Sequence, residues 1–161
     1  MLLGIVSDTH DRLERTTRAV ALLCQKGATN LIHCGDLTGP QIVHACAALP
    51  CTYVFGNNDY RVNELRQAIE ETGGQNLEQG GLLTLHGKRI SVTHGHHAQT
   101  FLRLVADEPD YLLFGHSHFP LDDRDGRTRH INPGALHRAA SYTVALLDLE
   151  RDLLEFLTVS A

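Results

Sequence analysis

Several features that would define other protein classes are missing from this sequence. It has no tryptophan, one methionine and no C-x-x-C pair among its four cysteines. We therefore expect no disulfide framework and interpret Cys24, Cys34, Cys46 and Cys51 as small buried apolar residues in a reducing compartment. The first apolar run ends at Asp8, and no basic stretch precedes it. This pattern predicts neither a signal peptide nor a membrane span, and the expected location is cytoplasmic.

Positive charge is also scarce. The 14 lysines and arginines are outnumbered by 19 acidic residues, for a net charge of −5 with neutral histidines. This balance argues against coating nucleic acid or binding an anionic membrane. Histidine, by contrast, is abundant, with 11 in 161 residues. Imidazole titrates near neutrality and is the commonest metal ligand, so the positions of these histidines are the first guide to a functional site.

The length of 161 residues suits one domain, 1–161. Its first half alternates short apolar runs with segments of helical periodicity. Strands are predicted at 1–7, 30–33 and 51–55, and helices at about 11–26, at about 40–49 and around 62–69. In the first helix, Leu13, Thr17, Val20 and Cys24 are the predicted inner face, with Asp11 as N-cap. Such β-α alternation favours a parallel sheet with right-handed crossovers.

The second half is dominated by hairpin patterns. Strands are predicted at 82–85, 89–93 and 111–114, a hairpin around Asp125-Gly126, another over 142–159, and a helix over 97–106. Parallel and hairpin connections together predict an α/β fold. Its architecture is expected to be a four-layer α/β/β/α sandwich of two mixed sheets flanked by helices.

Polar clusters follow the predicted strands. They are Asp8-Thr9-His10, Gly35-Asp36, Gly56-Asn57-Asn58-Asp59, Thr93-His94-Gly95-His96 and Gly115-His116-Ser117-His118. Ligands bind beyond the carboxyl ends of strands in open α/β sheets, so these clusters are expected to share one site. Carboxylates, imidazoles and an amide favour Mn, Fe, Co, Ni or Zn over Ca or a structural zinc. Seven candidate ligands suit two ions about 3.5–4 Å apart, with Asp36 as the natural bridge.

The ordered set D-x-H, G-D, G-N-x-D, H-G-H and G-H-x-H resembles the calcineurin-like metallophosphoesterase superfamily, from Asp8 through Gly134. The short chain is similar to its small YfcE-type phosphodiesterases. The resemblance implies a single metallophosphoesterase domain with two divalent ions, manganese first, with Ni, Co, Fe or Zn as alternatives. One ion would take Asp8, His10, Asp36 and His118, and the other Asp36, Asn57, His94 and His116. A swap of His94 with His96 is left open.

The implied activity is hydrolysis of small phosphodiesters by a metal-activated water. Most of the superfamily has a histidine at the position of Asn58, placed to assist the leaving group. An amide can donate a hydrogen bond to phosphate but cannot deliver a proton. We therefore expect a preference for good leaving groups, unless His96, His97 or His137 substitutes. Asp59 is expected to orient a neighbouring ligand or a group facing the substrate, and His96 to face the substrate.

Two alternatives remain open. One is a binding scaffold that keeps the fold but has lost the chemistry; the intact Asp8-x-His10 motif argues against it. The other is a phosphomonoesterase acting on small metabolites. The expected partner is a small phosphoester, with a homo-oligomer left open. The remaining histidines with no assigned role are interpreted as structural or surface residues: His33, His44, His86 and His130.

Overall fold

Eleven strands and four helices form the fold in the computed structural model, which describes residues 1–161. In chain order they are β1 (Leu2–Val6), α1 (Leu13–Gln25), β2 (Asn30–His33), α2 (Pro40–Cys46), β3 (Cys51–Tyr53), α3 (Val62–Glu71), β4 (Gln75–Asn76), β5 (Gly80–Leu85), β6 (Lys88–Thr93), α4 (Ala98–Ala106), β7 (Tyr111–Leu113), β8 (Pro120–Asp125), β9 (Thr128–Pro133), β10 (Thr143–Asp148) and β11 (Leu153–Thr158). No helix combines the length and apolar character that a bilayer crossing requires.

The strands form two mixed sheets. Sheet one has the order β11-β10-β1-β2-β3-β4, and sheet two has the order β5-β6-β7-β9-β8. In sheet one, β1 to β4 are parallel, while β10 and β11 add an antiparallel hairpin. In sheet two, β6, β7 and β9 are parallel, with antiparallel strands at both edges. Sheet two comes entirely from the chain segment between β4 and β10.

Two hydrophobic cores separate the layers. The first joins α1, α2 and α3 to one face of sheet one and includes Val20, Leu23 and Ile42. The second lies between the sheets, where Ile5 and Ile32 of sheet one pack in the same cluster as Ile90 and Val92 of sheet two. Helix α4 contacts β5 and β6 on the outer side of sheet two. The predicted four-layer α/β/β/α sandwich of two mixed sheets is therefore confirmed.

The inner face of α1 differs from the predicted one. Its buried residues are Thr16, Ala19, Val20 and Leu23. Cys24 is exposed, so its interpretation as a buried residue is wrong, whereas the other three cysteines are buried. Val20 belongs to both the predicted and the observed face. The other buried residues of the helix middle, Thr16, Ala19 and Leu23, each lie one position before a predicted one, so the helix is rotated slightly from the predicted orientation.

Element ends differ in smaller ways. Arg12, not Asp11, occupies the N-cap position of α1, and no side chain caps that helix. Helix α2 ends at Cys46, three residues before the predicted end. Strand β4 was not predicted, because a two-residue strand shows no periodicity.

A buried arginine connects sheet two to the last hairpin. Arg129, only 8% exposed, donates two hydrogen bonds to the Asp122 carboxylate, at 2.7 and 2.8 Å. It also donates to Oδ1 of Asp152, at 2.7 Å, in the turn between β10 and β11. Arg124 contacts the same Asp152 carboxylate from the surface. This network joins the two sheets away from the cleft described next.

Candidate metal centre

The carboxyl ends of strands from both sheets meet at one cleft. Sheet one contributes Asp8 and His10 after β1 and Asp36 after β2, and sheet two contributes residues after β6 and β7. Positive φ values occur at Asp8 (52°), His10 (41°), Asp36 (57°), His116 (68°) and His118 (62°). Left-handed backbone is uncommon for residues other than glycine, and it clusters at functional sites. The local backbone is therefore bent where the candidate ligands lie.

Two carboxylates and three imidazoles form the centre of the cleft. Oδ1 of Asp8 lies 3.1 Å from Nε2 of His118 and 3.9 Å from Nε2 of both His10 and His94. Oδ2 of Asp36 lies 3.2 Å from Nε2 of His10 and 3.5 Å from Nε2 of His94. Residues up to 110 positions apart in sequence thus present their ligand atoms to one another.

These atoms form two compact groups that could each hold a cation. One contains Asp8, His10 and His118, and the other contains Asp8, Asp36 and His94. Three of the atoms are buried without a hydrogen-bond partner: Asp8 Oδ1, His10 Nε2 and His94 Nε2. Buried polar atoms are almost always paired, because leaving them unpaired is costly. Orphaned atoms that face one another across a carboxylate cluster fit divalent cations.

Hydrogen bonds behind two imidazoles select the ring form that a metal needs. Nδ1 of His94 lies 2.8 Å from the carbonyl oxygen of Cys34, and Nδ1 of His118 lies 3.3 Å from that of Arg138. A carbonyl only accepts, so both Nδ1 atoms carry the hydrogen. In the neutral imidazoles the Nε2 lone pairs then face the carboxylates, as in metal-ligating histidines.

The two carboxylates are themselves held by hydrogen bonds. Oδ2 of Asp8 accepts from the Ser7 hydroxyl at 2.6 Å and from the His116 backbone N–H at 3.1 Å. Asp36 accepts from Asn58 twice, from its backbone N–H at 2.9 Å and its side-chain amide at 2.7 Å. Sequence reasoning did not single out Ser7, whose only signal is its place immediately before Asp8.

Asp59 holds the loop that carries Asp36. Its carboxylate accepts from the backbone N–H groups of Asp36 at 2.9 Å, Gly56 at 2.7 Å and Thr38 at 2.7 Å. Burial raises the pKa of Asp59, although the bonds from Gly56 and Thr38 act in the opposite direction. Asp59 therefore lies behind a candidate ligand and is hydrogen-bonded to the backbone of the loop that carries it.

Glycines next to the ligands leave no space for a side chain. A Cβ on Gly35 would lie 2.8 Å from Nδ1 of His94, and one on Gly56 would collide with the Asp36 carboxylate. A Cβ on Gly115 would collide with Ser7. The backbone approaches the centre closely at these three points, which explains the glycine before each ligand loop.

The pKa values of the central groups shift because opposite charges face one another. Burial alone would lower the pKa of His10, but the Asp36 and Asp8 carboxylates outweigh it and raise that pKa to about 9. The pKa of His94 is raised for the same reason, against its burial. Burial opposes ionisation of Asp8 and Asp36, yet these imidazoles hold both carboxyl pKa values below their usual range. Metal binding at such a centre displaces protons.

Three sequence-predicted residues lie at the margin of this centre. Asn57 is exposed, and His116 is exposed and outside both compact groups, with its ring centroid 5.1 Å from that of His94. His96 is half-buried, with its ring centroid 5.4 Å from that of His94. Asp8 is common to both groups, whereas sequence reasoning gave the bridging position to Asp36. The carboxylates and imidazoles of one proposed ion therefore lie closer together than those of the other.

Two residues extend the site beside His10. The His137 ring lies 4.7 Å from the His10 ring, centroid to centroid, and its Nδ1 accepts a 3.1 Å hydrogen bond from Nε of Arg12. Burial, together with the positive charges of His10 and Arg12, lowers the pKa of His137 to about 4. Sequence reasoning missed Arg12, which is separated from His137 by 125 positions.

The chain is similar in sequence and in fold to known phosphoesterases. Residues 1–152 match the model of the calcineurin-like phosphoesterase superfamily domain. Phosphodiesterase MJ0936 of Methanocaldococcus jannaschii is 26% identical over 158 residues, covering 94% of this chain and 95% of that protein. Phosphodiesterase YfcE of Escherichia coli is 28% identical over 151 residues, covering 84% of this chain and 79% of YfcE. A solved archaeal phosphodiesterase has a TM-score of 0.88 at 25% identity, covering 98% of this chain and 99% of that one.

The chain therefore belongs to the calcineurin-like phosphoesterase superfamily. It is a hydrolase that acts on phosphoester bonds, and the resemblance carried by its five motifs is confirmed.

Proposed function

We propose that this protein is a single-domain, dinuclear-metal phosphodiesterase that hydrolyses small phosphodiesters in the cytoplasm. The observation that carries the metal assignment is the set of three orphaned buried atoms, Asp8 Oδ1, His10 Nε2 and His94 Nε2, which face one another. A catalytically inactive scaffold has no need to keep such a cluster, because each unpaired buried atom costs folding free energy.

The proposed ligand sets share Asp36. One ion would be held by Asp8, His10, Asp36 and His118, and the other by Asp36, Asn57, His94 and His116. Imidazole and carboxylate donors without thiolate suit Mn, Fe, Co, Ni or Zn, and Mn is the first candidate among them. Asn57 and His116 would complete the second set at the exposed side of the cleft, where substrate enters.

When bound, the two ions supply an activated water and neutralise charge on the phosphoryl oxygens. The protein's own groups orient the substrate. The Asn58 side-chain amide donates one hydrogen to the Asp36 carboxylate, and its second hydrogen would be donated to a phosphate oxygen. His96, whose ring centroid lies 6.2 Å from that of His116, would face the substrate. Asp59 keeps the Asp36 loop in position. Because Asn58 cannot deliver a proton, good leaving groups are favoured over alkoxides.

The test is metal depletion followed by reloading with Mn, Ni, Co, Fe, Zn or Mg, one at a time. Each sample is assayed on bis(p-nitrophenyl) phosphate beside p-nitrophenyl phosphate, and its bound metal is counted by mass spectrometry. We expect two ions per chain and faster turnover of the diester. A faster monoester would favour the phosphomonoesterase alternative.

Asp36→Asn is the informative variant, and Asp123→Asn, an exposed position on β8, is its matched control. Asp36→Asn is expected to lose bound metal and, with it, the metal-dependent turnover, whereas the control keeps both. Absence of metal-dependent turnover on either substrate would contradict the proposal and leave the scaffold alternative.

A further inference from the structure

An apolar groove adjoins the metal centre. It has a volume of about 370 Å³ and runs between α4 and the loop after β7. Its lining includes Ala98, Phe101, Leu102, Phe114, His116 and Ser117. None of these side chains carries a fixed charge, in contrast to the cleft beside it. The groove therefore offers a surface of different chemistry within reach of the same substrate.

The groove has a rigid aromatic floor. The rings of Phe101 and Phe114 pack edge to face, with centroids 5.5 Å apart and an interplanar angle of 90°. This arrangement is a favourable aromatic pair geometry, so the two rings hold each other in place. Leu102 forms a wall and is 66% exposed. Helix α4 needs only Leu104 fully buried against sheet two, so the core does not explain why Leu102 is apolar.

His116 connects the groove to the metal centre. Its imidazole lines the groove, and its ring centroid lies 5.1 Å from that of His94. Its backbone N–H also donates to Asp8. A substrate whose phosphoryl group is bound at a metal held beside His94 would therefore have the groove next to it, on the other side of His116.

We propose that the groove binds a planar aromatic ring carried by one ester of the substrate. This deepens the proposed function and rests on it: the substrate class becomes phosphodiesters with an aryl group or a nucleobase. Apolar walls with a few polar atoms at the mouth are the usual form of such subsites. An alkyl or bare sugar substituent would leave the Phe101, Phe114 and Leu102 surface in contact with water.

The test uses pairs of ligands that differ only in the ring. Phenylphosphonate is compared with methylphosphonate, and thymidine 5′-phosphate with 2-deoxyribose 5-phosphate. Binding to the metal-loaded protein is measured by calorimetry, and inhibition of bis(p-nitrophenyl) phosphate hydrolysis is measured in parallel. We expect the ring to tighten binding about tenfold in at least one pair. The pair that responds shows whether the groove binds an aryl group or a nucleobase.

Two variants probe the groove without touching the metal ligands. Leu102→Ser removes an exposed wall, and Ala98→Phe fills the groove from the exposed start of α4. Both are expected to reduce the ring preference to about twofold, with little change for methylphosphonate. Leu153→Ser is the matched control, since Leu153 is 61% exposed on β11 of sheet one. It should keep the full preference.

The outcomes separate the two proposals. If the reloaded protein hydrolyses the diester but shows no ring preference, or if both variants keep the preference, the groove assignment is wrong and the proposed function stands. If no metal supports turnover or phosphonate binding, both are overturned. A dimer in sedimentation that Leu102→Ser dissociates, with the ring preference unchanged, would instead assign the groove to a second copy of the chain.

Discussion

Oδ2 of Asp36 accepts a 2.7 Å hydrogen bond from the side-chain amide of Asn58. The same oxygen faces the Nε2 atoms of His10 and His94 at 3.2 and 3.5 Å. Asn58 therefore contacts a candidate ligand from the position where most of the superfamily has a histidine. The identity of this one side chain is expected to set the range of leaving groups.

Asn58→His should widen that range. A histidine can donate a proton to a poor leaving group, and general acid catalysis is worth about 10²-fold or more. We expect turnover of alkyl phosphoesters to rise by about that factor, with hydrolysis of bis(p-nitrophenyl) phosphate changed by less than about threefold. The control is Asn58→Ala, which should give no gain. High activity of the unmodified protein on alkyl monoesters would contradict this prediction.

Gly56→Ala should disrupt the site through a single methyl group. Its Cβ would collide with the Asp36 carboxylate and would lie 2.6 Å from the Asp36 backbone nitrogen. We expect a loss of about 1–3 kcal/mol in the free energy of unfolding, together with loss of bound metal. Gly81→Ala is the control, because its Cβ would make only ordinary contacts, at 3.4 Å or more, with Leu77. Urea denaturation and metal counting check both, and equal effects would refute the steric account.

The two arginines that contact Asp152 should differ in their contribution to stability. Arg129 is 8% exposed and also holds Asp122, whereas the Arg124 side chain is 51% exposed. We expect Arg129→Met to cost about 2 kcal/mol of unfolding free energy, since it removes both hydrogen bonds to the Asp122 carboxylate and one of the cations that contact Asp152. Arg124→Met should cost less than about 1 kcal/mol. Urea denaturation of both proteins measures the difference, and the reverse order would contradict it.

His33 should make the stability depend on pH below neutrality. Burial lowers its pKa to about 3, while Thr9 and the Gly35 N–H satisfy its ring nitrogens. The unfolded chain, with a histidine pKa of about 6.5, then binds the proton better than the folded protein does. His33 alone therefore lowers the unfolding free energy as the pH falls from about 6.5 towards 3, by about 1.4 kcal/mol per pH unit.

The difference between His33→Gln and the parent protein isolates this effect. The unfolding free energy of metal-free samples is measured by urea denaturation between pH 4 and 7. Its dependence on pH should be less steep in the variant, by the amount that corresponds to the uptake of about one proton on unfolding. His86→Gln, in the exposed turn between β5 and β6, serves as the control. Equal slopes in the two variants would show that His33 does not carry the dependence.

The layers and the region of the site could be predicted because they depend on local patterns. Buried runs such as Leu31–His33 indicate strands, and parallel strands align their carboxyl ends, so Asp8 and Asp36 had to be neighbours. His94 and His118 followed from the same rule applied to sheet two. The order of the motifs then identified the superfamily, which no single motif could do.

What sequence reasoning missed depends on distances across the chain or on helix rotation. The contact of Arg12 with His137 spans 125 positions and has no local signal. The offset face of α1 depends on how the helix rotates against sheet one, so periodicity alone misassigned Cys24. The exposure of Asn57 likewise depends on the conformation of one short loop. The role of Asn57 in metal binding, like that of the other candidate ligands, stays a prediction.

The candidate ligands come from both sheets, Asp8, His10 and Asp36 from one and His94 and His118 from the other. An ion bound among them would cross-link the two halves of the sandwich at the edge opposite the Arg129 network. Opening the sheets would then require releasing the ion, so metal dissociation and separation of the layers would become one coupled event. Loss of metal would therefore loosen the sandwich only at the end that holds the metal centre, while the Arg129 network would keep the sheets joined at the other end.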